Sequence, residues 1–189
     1  MTIYAARVCD VDLTSGKIDR RSISPEVNRS YIGGANLGAY LLFDVLTPEL
    51  DPISPEAPLV FLGGPLSGTS GPAVGRSVVC AKSPATHAWG ESNIGGHIGP
   101  QLRAAGIDVL ILRGRSPEPV YLWIENGDLS IHTAKHLWGS ADTYETQERI
   151  RTELGQPAAH IACIGRAGES MLPFALILCD HGRVAGRTG

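Results

Sequence analysis

Apolar and polar positions group into short runs along most of this chain, and only three stretches carry helical spacing. Ile3 to Val11 is apolar and β-branched, Thr14-Ser-Gly-Lys17 reads as a turn, and Ile18 to Ile23 resumes, which predicts an opening hairpin. Leu59-Val-Phe-Leu62 and Ser77-Val-Val-Cys80 predict buried strands running into and out of a glycine-rich loop. The strongest β signal is Asp108 to Arg113, followed by Pro119 to Glu125, the turn Asn126-Gly127-Asp128 and the strand Leu129 to His132. His160 to Ile164 predicts a further strand, and Pro173 to Cys179 a strand or the start of a buried helix. The first helical stretch opens at Ser24-Pro25, breaks at Gly33-Gly34 and resumes through Leu37, Tyr40, Leu41 and Val45. A short second one begins at Gly99-Pro100 and closes at Gly106. The third runs from Tyr144 to about Leu154, capped by Asp142 or Thr143 and ended by Gly155. Thr47 to Pro58 reads as loop. Hairpins outnumber crossovers, so the class is α+β and not a doubly wound sheet. Ile164-Gly-x-x-Gly echoes Leu62-Gly-Gly-Pro-Leu-Ser-Gly68, a hint of internal duplication.

Composition narrows the function classes. At 189 residues with 43% hydrophobic and 19% charged, the chain can build a real interior as one domain over 1–189. A net charge of −3 gives no footprint for nucleic acid or an anionic membrane. The longest apolar run, Met171 to Cys179, is too short to span a bilayer. The N-terminus lacks a signal-peptide layout, so a cytoplasmic location is expected. Cys9, Cys80, Cys163 and Cys179 are widely spaced within or beside apolar runs and form no ligand motif, as expected of buried free thiols. Lysine occurs only at positions 17, 82 and 135, leaving arginine as nearly all of the basic set. That bias suits bidentate anion contacts and a codon preference alike.

Candidate chemistry sits in four glycine-rich loops: Gly33 to Gly38, Gly63 to Arg76, Ser92 to Pro100 and Gly182 to Gly189. Successive amides in such turns make concave anion sites, and an adjacent guanidinium grips phosphate with paired hydrogen bonds. No GxxxxGK[ST], no GxGxxG between a strand and a long helix, and no Gly-x-Ser-x-Gly elbow is present. Arg76, at the mouth of a strand, either reaches a ligand or closes its loop on carbonyls. Asn93 either stabilises its own turn or offers a carbonyl to a hard cation. Arg183 and Arg187, four apart in a glycine-bearing segment, have little reason to serve a core. Of six histidines only His97 and His181 lie in glycine loops; His87, His132, His136 and His160 are expected in surface or core roles.

Together these motifs resemble the N-terminal domain of the tungsten-containing aldehyde ferredoxin oxidoreductases. The likeness covers essentially the whole chain, through Asp12-Leu-Thr-Ser-Gly-Lys17, Asp51-Pro-Ile-Ser-Pro-Glu56, Gly64-Pro-Leu-Ser-Gly-Thr69, Gly75-Arg76, Lys82-Ser-Pro84, Ser92-Asn-Ile-Gly-Gly96 and Ala105-Gly-Ile-Asp108. It continues through Glu118-Pro-Val-Tyr121, His136-Leu-Trp-Gly139, Ile164-Gly-Arg-Ala-Gly-Glu169 and Gly182-Arg-Val-Ala-Gly-Arg187. The resemblance implies a base of two mainly antiparallel sheets with an approximate internal two-fold and a few short helices. A tungsten (or molybdenum) bis-pterin would rest on it, with magnesium between the two phosphates. Carried over, Arg76, Asn93, Gly95, Arg183, Val184, Gly186 and Arg187 contact cofactor, and Asn93 and Val184 give carbonyls to magnesium. Val184 stands where a member of the family has alanine, a change that a carbonyl ligand survives. No residue of this chain is implied to be catalytic. The family's [4Fe–4S] cluster, substrate pocket and second pterin contacts lie in C-terminal domains absent here. The chain is therefore expected to be part of a longer enzyme or a subunit completed by a partner, served by a ferredoxin-like carrier, with a homo-oligomer left open. A non-catalytic module that keeps the anion loops, for another ligand or for docking, is the alternative.

Overall fold

The computed structural model describes residues 4–180 and 182–186. The opening hairpin forms around the expected turn, with β1 (Arg7–Asp12) pairing antiparallel to β2 (Lys17–Ser22). Four more strands extend it: β3 (Leu59–Gly63), β4 (Ser77–Lys82), β5 (Trp89–Ile94) and β6 (Val109–Arg113). The resulting six-stranded sheet has the order β2-β1-β6-β3-β4-β5. Only its β1–β6 neighbours are parallel, with Val8 opposite Val109.

The middle of this sheet is covered on both faces, which is why its central strands β3 and β6 read as unbroken apolar runs. Successive side chains point to opposite faces. Val8, Val60, Leu62, Val78, Cys80, Val109 and Ile111 pack on one side with Leu37 and Leu42. Cys9, Val11, Phe61, Val79, Ile94 and Leu110 pack on the other with Ile177, Cys179 and Ala185. The first face is covered by α1 (Pro25–Tyr31) and α2 (Gly34–Leu42). Ser24 caps α1 by accepting from the Val27 N–H at 3.3 Å. The expected break falls where Ile32 and Gly33 adopt φ of +62° and +136°. The second helix ends at Leu42, because residues 43–45 already turn toward the loop.

The other face carries α3 (Ile98–Ala104), the hairpin β7 (Val120–Glu125) with β8 (Asp128–Thr133), and a small antiparallel sheet. That sheet has the order β11-β10-β9, formed by β9 (Ala162–Cys163), β10 (Leu176–Cys179) and β11 (Arg183–Gly186). The class is α+β, with sheets of six, three and two strands, so the strands beyond the large sheet are divided between two units. The open choice for 173–179 resolves to a strand. Two strands escaped the pattern: β5, whose Trp-Gly-Glu-Ser-Asn-Ile is a poor strand former, and β11, expected as a loop. The helices α4 (Thr143–Leu154), capped by Asp142 and ended by left-handed Gly155, and α5 (Arg166–Glu169) complete the chain. The two echoed motifs differ in form, since 64–67 is a turn while 166–169 is α5. Among the described residues no helix is long and apolar enough to cross a membrane.

Two polar anchors hold the scaffold. Asp108 is buried at the start of β6 and accepts from the Arg7 N–H at 2.9 Å and Arg7 Nε at 2.8 Å, with Arg103 Nη1 at 3.5 Å. Burial alone would raise its pKa; the Arg7 hydrogen bonds and charge outweigh it and hold the carboxyl below the usual range. Lys82 is 3% exposed, and its Nζ donates to the carbonyls of Thr47, Pro48 and Leu50 at 2.8, 2.9 and 2.7 Å. It closes the turn after α2 against the end of β4, the physical reason for the Lys82-Ser-Pro84 motif.

Lys82→Met removes the donor and leaves three carbonyls to find water, so chemical denaturation should read a loss of about 2–4 kcal/mol. An unchanged midpoint would show that the turn does not depend on this amine. Asp108→Asn should cost about 2–4 kcal/mol near neutral pH. Because the folded carboxyl titrates below its unfolded value of about 3.9, its contribution is complete above that pH. It is lost as pH falls through the folded value, so wild type and variant should converge in acid. Parallel stability curves down to pH 2 would contradict this.

Candidate functional site

The four glycine-rich loops, far apart in sequence, meet in a continuous series at the edges of the sheets. A Cβ at Gly33 would stand 3.2 Å from Pro65 Cδ and 3.3 Å from the Gly63 carbonyl, so the first loop abuts the second. A Cβ at Gly75 would stand 3.3 Å from the Gly96 carbonyl, and one at Gly68 3.2 Å from Pro100 Cα, so the second abuts the third. At Gly96 a Cβ would meet Arg183 Cδ at 2.6 Å, and at Gly95 it would meet Arg183 Nη1 at 3.2 Å. The Arg183 side chain thus lies across the third loop, where the φ of +95° at Gly96 also favours glycine.

Strand geometry sets this convergence. Arg76 immediately precedes β4, and β4–β5 pairing puts Ser77 opposite Ile94 and Val78 opposite Asn93. Arg76 and the Asn93–Gly96 turn are thereby neighbours at one end of that ladder. β5 and β11 are edge strands of their two sheets and pack against one another, which brings Arg183 and Val184 to the same end. Edge strands leave alternate main-chain groups outside any ladder. Arg76, Asn93, Arg183 and Val184 are all exposed, and Gly95 and Gly186 are partly buried. Arg187 and His181 lie outside the described residues.

The alternatives left open by the sequence can be weighed. The second loop is closed by Ser67, whose Oγ accepts from the Gly64 N–H at 3.0 Å and donates to the Arg76 carbonyl at 3.1 Å. The Arg76 guanidinium and the Asn93 amide make no hydrogen bond or ion pair among the described residues, and neither does the Arg183 guanidinium. By contrast Arg7, Arg103 and Arg113 are paired with Asp108 and Asp10. Unengaged guanidiniums beside glycine-rich main chain form a surface suited to an anion with several oxygens.

One group of residues went unrecognised in the sequence. Asp180 Oδ2 accepts from the His97 N–H at 3.1 Å, and Asp180 Oδ1 lies 2.9 Å from His160 Nδ1. The His97 and His160 rings stack with centroids 4.4 Å apart. Their positions, 97, 160 and 180, share no spacing that a motif could reveal. His160, expected in a surface or core role, instead joins this cluster. His132 and His136 do hold surface roles, on Ser130 and Glu153.

The thiols are poor candidates for chemistry. Burial pushes Cys80 and Cys179 up to about 12 and Cys163 up to about 11, so they stay protonated. All four cysteines are unpaired. A cavity of about 580 Å³ lies between the β7–β8 hairpin and the main sheet under apolar residues such as Phe61, Leu110 and Ile124. None of Arg76, Asn93, Arg183 or Val184 lines it.

Comparison with known proteins bears on the family and the fold. Residues 8–189 match the family model for the aldehyde ferredoxin oxidoreductase N-terminal domain. The tungsten-containing aldehyde ferredoxin oxidoreductases of Thermococcus kodakarensis and Pyrococcus furiosus are each 39% identical over 183 residues, 97% of this chain. The aliphatic sulfonate oxidoreductase, WOR-like subunit, of Pyrococcus furiosus is 33% identical over 205 residues. A chain of the active site complex BamBC of benzoyl coenzyme A reductase superposes with a TM-score of 0.93 at 41% identity over 97% of this chain. This chain spans about 30% of the length of these curated relatives and 28% of that solved chain. The fold, the ordered motifs and these matches agree: the chain belongs to the aldehyde ferredoxin oxidoreductase N-terminal domain family.

Proposed function

We propose that this chain is the cofactor-bearing base of an oxidoreductase that converts aldehydes to carboxylates and passes electrons to a ferredoxin-type acceptor. The single observation that carries the reading is the convergence of the glycine loops beside Arg76 and Arg183, whose guanidiniums have no partner among the described residues. Donor chemistry fits a tungsten (or molybdenum) bis-pterin: main-chain N–H groups of Gly95 and Gly186 for ring and phosphate atoms, guanidiniums of Arg76, Arg183 and Arg187 for phosphate charge. Main-chain carbonyls of Asn93 and Val184, on two edge strands that pack together, are oxygen donors of the kind magnesium takes. When bound, the metal–pterin supplies the two-electron chemistry. This chain's part is to orient it and offset the negative charge of its phosphates, and no residue here need exchange a proton with substrate.

The remaining two-thirds of such an enzyme would supply the cluster and the substrate pocket. Met171, Leu172 and Phe174, exposed on the connection into β10, form apolar surface suited to burial against those domains or a partner subunit.

Metal analysis of the enzyme containing this chain, purified from its own source, should find tungsten or molybdenum together with pterin. In the Arg76→Ala/Arg183→Ala variant the metal per chain should fall about tenfold or more, since each lost charge-assisted hydrogen bond is worth about 1.5–3 kcal/mol. Unchanged loading would refute the role of these arginines. Absence of both metals and of pterin from the wild-type protein would favour a non-catalytic anion-binding or docking module.

A further inference from the structure

We propose that His97, His160 and Asp180 form a binding site for a divalent transition ion, with Zn²⁺ as the reference ion. The site is separate from the magnesium carbonyls and stands whether or not the pterin reading holds. One ligand atom from each residue lies within 4.8 Å of the others. Two imidazoles and one carboxylate are a ligand set typical of Zn²⁺ and its neighbours, whereas Mg²⁺ and Ca²⁺ take oxygen donors. Bonds of about 2.0–2.2 Å around one tetrahedral ion separate its ligand atoms by roughly 3.4 Å. The His160–Asp180 edge, at 2.9 Å, is already of that order. His97 is exposed, so rotation of its side chain can close the remaining distance, on the order of 1 Å.

The frame is fixed on its inner side. Asp180 cannot swing away without losing the His97 N–H on its other oxygen. Its own N–H donates to the Ile161 carbonyl at 3.3 Å, which ties it to the strand that follows His160. The two imidazole rings stack face to face with 30° between their planes, so the exposed His97 ring turns out of the stack to aim a nitrogen at an ion held by His160 and Asp180. The three residues line an open cavity of about 290 Å³ with Glu148, Arg151 and residues 157–159. That leaves room for water in the fourth coordination position. The positive charge of Arg151 on this wall is paired with Glu148 at 2.7 Å.

An ion here would act on the neighbouring loops. His97 follows Gly95-Gly96 directly, and Asp180 follows the end of β10, three residues before Arg183. Coordination would therefore lock the third glycine loop to the strand pair that carries Arg183.

Calorimetric titration of the metal-free full chain with Zn²⁺ tests this. One ion per chain should bind with a Kd on the order of micromolar, with no competition from millimolar Mg²⁺. His97→Gln and His160→Gln should each weaken binding by about tenfold or more, while Cys163→Ser, the half-buried thiol, should leave it unchanged. The proposal is overturned if wild type takes up no stoichiometric Zn²⁺, if both histidine variants bind as wild type does, or if Cys163→Ser abolishes binding. Because His97 is exposed, its substitution should not disturb folding, so that variant reads the site even where His160→Gln proves unstable.

Discussion

The close passage of Arg183 over the Gly95–Gly96 main chain is the constraint around which this end of the molecule is organised. With Arg183 Cδ only 2.6 Å from where a Cβ of Gly96 would stand, no other residue fits there unless the Arg183 side chain moves off the loop. That contact joins the edge of the six-stranded sheet to the edge of the three-stranded sheet. It orients a guanidinium over main chain, with its donors left free among the described residues. Asp180 secures the same junction from behind through the His97 N–H.

The rest of the fold makes such a junction affordable. The central sheet buries apolar residues on both faces, and Asp108 and Lys82 satisfy otherwise costly buried polar groups at its margins. Stability is thus concentrated in the strands, while the loops at their ends carry main chain with few side chains to pack. Loops of that kind contribute little to the core and can be given over to binding. The apolar residues left exposed near β10 fit a surface that continues into the domains present in the longer relatives.

Much of the fold was legible because the strands β1, β3, β4, β6 and β7 carry dense apolar runs, and the caps at Ser24, Asp142 and Gly155 use local chemistry. β5 and β11 were not legible. Their residues are small or polar, and they become strands only because β4 and β10 offer ladders to pair with. The glycine loops were visible as anion-site candidates, yet the sequence left Arg76 and Asn93 with two readings each. The structure adds that Ser67 Oγ, and not the Arg76 guanidinium, closes the second loop. His160 and Asp180 were invisible as partners because 20 residues and a strand crossing separate them. Such a pairing is tertiary information that no short motif encodes.

The central claim is that the glycine loops form a single anion-binding face. The most direct test is an NMR titration of the full chain with pyrophosphate, a simple stand-in for a pair of phosphates. Saturable shifts are expected, confined to the amides of residues 75–76, 93–96 and 183–186, together with the Arg76 and Arg183 Nε–H signals. Shifts scattered over the surface, or centred on another face, would contradict it.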